Sequence, residues 1–221
     1  MKSKPDDLTR RLKITATSDV NPASLERLCS ELQPDLDLSL DERSIFLKSA
    51  EPPSWIQFVA LAPWWIKALG AYAALYVAEI VKEAGKETWK KRAEIARAAA
   101  GAGNKILKFA RSLVALRERI SPRTKFVFGL PVPDDYPGTR LELTGKDEST
   151  IAAEIALFVS YLPAIERLIE AEGLQGKVAF GMTLRIAGDS SLRVAWMIPD
   201  SSKTEERTLR LDDEPLARAP N

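Results

Sequence analysis

A single run of 27 residues, Trp55 to Val81, most narrows what this chain can fold into, because it carries only two charges, Lys67 and Glu79. About 20 apolar residues suffice to cross a bilayer, so the run is long enough to span. Lys67 falls near its middle, Pro63 interrupts it, and Trp64 and Trp65 sit centrally instead of at the two ends, where interfacial aromatics belong. These features favour the first arm of a helical hairpin over a transmembrane pass.

The second arm follows in a change of charge. Residues 82 to 133 hold 13 Lys/Arg against 4 Asp/Glu, although the whole chain of 221 residues sums to only +1. Segregation of this kind marks a directed surface. Two glycines in Ala98 to Asn104 place a turn at Gly101 to Gly103 and a second helix from Asn104 to Ile120, whose apolar face is Ile106, Phe109, Ala110, Leu113, Leu116 and Ile120.

Around the hairpin the period differs. Leu12, Ile14 and Ala16 alternate as a strand, Asn21-Pro22 starts a helix carrying Leu25, Leu28, Cys29 and Leu32, and residues 43 to 48 read as a second strand. Beyond Pro122, Phe126 to Leu130 and Leu141 to Leu143 read as a β-hairpin, and residues 147 to 172 as the clearest helix, stopped by Gly173. Two antiparallel strands then flank Gly188-Asp189, and Leu209 and Leu211 suggest a third. The expected fold is one α+β domain: a mostly antiparallel sheet with helices on one face and a long helical hairpin inserted at about 54–120. Its parts are a βαβ unit at 10–50, the hairpin, a ββαβββ unit at 124–212 and a polar tail at 213–221.

Histidine is absent, which removes Ser-His-Asp triads, Cys-His dyads and HExxH zinc sites. The one cysteine, Cys29, lies on an apolar helical stripe and reads as an inert thiol. Gly101-Ala102-Gly103 follows a helix and has Ile106 where a third glycine belongs, so it is a turn and not a dinucleotide loop. Asp134, Asp135, Tyr136 and Glu142 form the best carboxylate cluster, yet Asp-Asp between prolines is ordinary turn chemistry. No catalytic, metal or cofactor residues are therefore assigned. The charged start of the chain, without an apolar leader core, suggests the cytoplasm, with membrane association as a variant.

Two sets of residues remain as candidate contacts. Trp55, Trp64, Trp65, Lys67, Tyr72 and Tyr76 exceed what one helix face can hide, and apolar surplus marks a partner, a second copy or a membrane surface. Gly70, Ala74 and Ala78 form a small-residue ridge suited to packing inward. Lys82, Lys86, Lys90, Lys91, Arg92, Arg97, Lys105, Lys108 and Arg111 form a basic surface, interleaved with Glu83, Glu87 and Glu94. The expected function is a non-enzymatic interaction protein using segment 54–81 and the adjacent basic stretch. A carboxylate- or metal-dependent enzyme is the alternative, and nucleic-acid binding through the basic helices 82–119 the second.

Overall fold

Short segments in which apolar residues recur at every second position are spread along the chain, and the computed structural model has one mixed sheet of eight strands. The structure describes residues 12–17, 19–32, 38–40, 54–60, 74, 102–130, 136–178, 181–198 and 203–211. The strands are β1 (Leu12–Ala16), β2 (Leu38–Leu40), β3 (Trp55–Ala60), β4 (Lys125–Gly129), β5 (Thr139–Leu143), β6 (Met182–Ile186), β7 (Leu192–Met197) and β8 (Thr204–Leu209). Their spatial order is β2-β1-β3-β4-β5-β6-β7-β8. Three described helices accompany them: α1 (Pro22–Leu32), α2 (Ala102–Arg117) and α3 (Glu148–Ala171).

The helices explain the sheet's mixed character. Parallel neighbours require a crossover, and each of the three parallel pairs has a helix between its strands in sequence: α1 for β1/β2, α2 for β3/β4, α3 for β5/β6. The remaining four pairs are antiparallel. The class is α+β as expected, but the sheet is less antiparallel than the sequence suggested.

All three helices bury their stripes on one face of the sheet. From the strands that face receives Leu12, Ile14, Ile56, Phe58, Phe126, Phe128, Leu141, Leu143, Met182, Leu184, Val194 and Trp196. From the helices it receives Leu25 and Leu28, then Phe109 and Leu113, then Ile155 and Phe158. Edge-to-face rings stitch the layers together, Phe58 to Phe109 at 5.4 Å and Phe128 to Phe158 at 6.3 Å between centroids.

Local chemistry sets the helix ends. Asn21 caps α1 by accepting from Ala23 N–H at 3.0 Å. Asp147 caps α3 by accepting from Thr150 N–H at 2.9 Å, and Gly173, at φ +57, ends it in the left-handed region. α3 runs through Pro163 as one helix.

A buried carboxylate fixes the loop that feeds α3. Glu154 is 1% exposed and accepts from Thr144 N–H at 3.1 Å, Thr144 Oγ1–H at 2.6 Å and Gly145 N–H at 3.2 Å. Burial holds its carboxyl above the usual carboxylate range, against the lowering pull of those hydrogen bonds. Arg117, at the end of α2, donates to the carbonyls of Leu143 and Gly145 and lies 4.8 Å over the Phe126 ring, so one guanidinium ties α2 to the same loop.

The start of the expected helical hairpin is the main correction. Trp55 to Ala60 form a strand, not the start of a helix. A short continuous apolar run does not reveal its own period, and here the aromatic and β-branched content prevails. Residues 61–73 and 75–101 lie outside the described set; Ala74, expected on a ridge packing inward, is helical and exposed. Gly103, expected in a turn, is inside α2, which is a single helix starting two residues earlier than the sequence suggested. The strand expected at 43–48 also lies outside the described residues, while β2 at 38–40 supplies the βαβ return.

Candidate functional site

The pleat that sends apolar side chains to the helices sends the alternate residues to the other face. No described helix packs there. Register defines its cross-strand rows. One row reads Thr15, Gln57, Val127, Glu142, then Arg185 and Arg193. The next reads Lys13, Val59, Gly129, Arg140, Thr183 and Ala195, ending at Glu206. Trp55 and Lys125 stand opposite each other at the end of β3 and β4.

Within the strands this face carries five basic side chains, Lys13, Lys125, Arg140, Arg185 and Arg193, against two acidic ones, Glu142 and Glu206. Glu142 is the more enclosed, its side chain 14% exposed. Its Oε2 accepts from Arg185 Nε at 2.9 Å and Nη2 at 2.6 Å, and Lys125 Nζ lies 3.4 Å from Oε1. One carboxylate therefore pins two cations. Arg140 and Arg193 are exposed and make no ion pair among the described residues.

A depression of about 180 Å³ opens between these groups, lined by Trp55, Gln57, Lys125, Val127, Arg140, Glu142 and Thr183. Trp55 is half-buried, and its main chain is held from β1: Thr17 Oγ1 accepts from Trp55 N–H at 3.1 Å, and Thr17 N–H donates to Trp55 O at 3.1 Å. The depression thus combines an aromatic plane, two cations, one carboxylate, an amide and a hydroxyl, with Lys125 paired to the carboxylate and Arg140 in no ion pair among the described residues. Such a set suits a ligand with a flat ring and negative charge.

Gly129 lies beside Arg140 on this face. Its φ is not positive, and an added Cβ would meet Thr139 O at 3.5 Å and Gln57 Nε2 at 3.7 Å, both ordinary contacts. Neither backbone conformation nor crowding demands glycine here. Gly145 differs: an added Cβ would lie 2.8 Å from Ile151 N.

Of the aromatic candidates, Trp55 belongs to this face. Trp64, Trp65, Lys67, Tyr72 and Tyr76 lie outside the described residues, as do Lys82, Lys86, Lys90, Lys91, Arg92 and Arg97. Lys105, Lys108 and Arg111 are on α2, away from the open face. Lys108 and Arg111 border a groove of about 540 Å³ with Glu31, Leu107 and Ser112. Arg111 is engaged by Glu148 at 2.7 Å, which holds its guanidinium pKa above the ordinary value, and Glu31 takes Arg27 and Arg119, each at 3.1 Å. Here Glu31 and Glu148 hold Arg27, Arg111 and Arg119 in ion pairs, as a solvated helix face shows.

Gln57, Lys125, Arg140, Thr183, Arg185 and Arg193 are absent from the sequence-based candidates. Their signal is present as polar residues at alternate strand positions, but neighbouring strands come from distant segments. Of the carboxylate cluster, Asp134 and Asp135 lie outside the described residues, and Glu142 is committed to Arg185 and Lys125. Among the described residues there is no group of three metal-ligating side chains, and no helix is long and apolar enough to cross a membrane. Cys29 is half-buried, and burial pushes its thiol pKa up, which suits a packing role. Comparison with family models, curated proteins and solved structures gives no match.

Proposed function

We propose that this protein is a non-enzymatic interaction protein whose open sheet face receives an anionic partner. The observation that carries the reading is the pairing pattern on that face: Glu142 neutralises part of Lys125 and Arg185, while Arg140 and Arg193 stay exposed without an ion-pair partner among the described residues. Cations gathered on one sheet face raise the local concentration of anions. Trp55 links the face to the aromatic segment that the sequence marks as a contact surface.

The test is binding of the purified protein to chemically distinct polyanions, namely poly-glutamate, a sulfated polysaccharide and oligonucleotides, at about 50 mM and about 200 mM salt. The expected result is saturable binding to at least one, weakening with salt. No binding to any of them at the lower salt overturns the reading.

A further inference from the structure

We propose that the anionic partner is a single-stranded nucleic acid, with Trp55 stacking on one base and Arg140, Arg185 and Arg193 following the phosphate backbone. This deepens the preceding reading and rests on it. Proteins that hold single strands pair an aromatic platform with a cationic track, because every base offers a flat face and every linkage a charge. Both parts occur on this face, joined by the same depression.

Trp55 forms one wall and Arg140 lines the depression from β5, with Gln57 and Val127 between them on β3 and β4. Beyond Arg140 the cations continue through Arg185 on β6 to Arg193 on β7, residues that stand directly opposite each other. From β5 to β7 is two inter-strand spacings, about 10 Å, enough to reach more than one phosphate of an extended strand. At about 180 Å³ the depression is smaller than the pockets that surround small ligands, and cationic charge continues beyond it across the sheet, which fits a polymer. Glu142 is the positioning residue: by gripping Arg185 through Nε and Nη2 it leaves the Nη1 edge of that guanidinium for a ligand.

An acidic peptide fits less well, because it offers Trp55 no repeating aromatic plane. A duplex fits less well too, since a flat sheet face presents no element to enter a groove and bases already stacked are closed to Trp55.

The experiment is fluorescence anisotropy with a labelled oligothymidylate of about 12 nucleotides, within the span that such platforms occupy, with the corresponding duplex and poly-glutamate as competitors. The single strand is expected to bind and to outcompete both others. Trp55→Ala should weaken binding about tenfold, with Trp55→Phe recovering most of the loss. Arg140→Ala, on an exposed side chain, should lower the slope of log affinity against log salt by about one, and it carries the test should Trp55→Ala fail to fold. Poly-glutamate binding without oligonucleotide binding overturns this proposal but leaves the preceding reading standing. Equal affinity for duplex and single strand, or an unchanged Trp55→Ala with native stability, also overturns it. Failure of every polyanion to bind overturns both.

Discussion

The two faces of the sheet are built from the same strands in the same register, and they differ in what each side chain is committed to. On the covered face Phe58, Phe126, Phe128 and Trp196 are essentially inaccessible, with Phe58 packed on Phe109 of α2 and Phe128 on Phe158 of α3. On the open face Arg140, Arg185 and Arg193 are exposed and only Arg185 is paired. The pleat therefore separates stability from binding: substitutions on one face should move the melting temperature, and substitutions on the other should move affinity. Each of the following measurements presses on that separation.

The largest effect is expected from Phe128→Ala, which empties a fully buried position beside Phe158 and Phe109. It should cost about 3–5 kcal/mol in denaturant unfolding, and a loss under about 1 kcal/mol would show that the covered face is not the core. Next stands Glu154, whose removal strands the N–H groups of Thr144 and Gly145. Glu154→Ala should cost about 2–3 kcal/mol, measured the same way.

Glu154 also sets a pH signature. Its folded pKa is raised above the ordinary value of 4.5, so the folded state binds more protons than the unfolded state in the window above 4.5. Stability from this group then falls as pH rises through that window and levels off above the folded value. Asp189 acts in the opposite sense: hydrogen bonds from Ser191 lower its pKa, so its contribution is present above 3.8 and is lost as pH falls below it. The difference between the native protein and Glu154→Gln isolates the first effect. Glu154→Gln should remove the downward slope above pH 4.5, and an unchanged slope would assign it to another group.

Two glycines give a sharper contrast. Gly145→Ala drives a Cβ against the Ile151 main chain and should destabilise by about 1–3 kcal/mol. Gly129→Ala, on the open face, meets only ordinary contacts and should be neutral or stabilising by up to about 1 kcal/mol. Smallest is Arg185→Ala, which breaks an exposed pair with Glu142 and should change stability by less than about 1 kcal/mol.

Much of the covered face is legible in the sequence, because its residues repeat every two positions in strands and every three or four in helices. Phe126 and Phe128, Ile151 through Ile169, and Leu192 through Trp196 declare themselves locally. The open face is legible only in fragments. Lys125, Arg140, Arg185 and Arg193 lie 15, 45 and 8 residues apart in the chain, and the register that gathers them depends on the crossover through α3 between β5 and β6. Segment charge even misdirects: residues 134 to 221 sum to −6, yet this stretch supplies three of the face's cations while α3 carries much of the acid. Trp55 stands out in the sequence as part of an aromatic surplus, but its neighbours on the sheet follow only from Trp55–Ala60 being a strand and not a helix.

The most direct test is to measure melting temperature and polyanion affinity on one protein, the double variant Arg140→Glu, Arg193→Glu. Separate faces predict a melting temperature within about 3 °C of the native protein and affinity reduced at least about tenfold. A melting temperature that falls as far as that of Phe128→Ala, or an affinity that does not change, would contradict the separation.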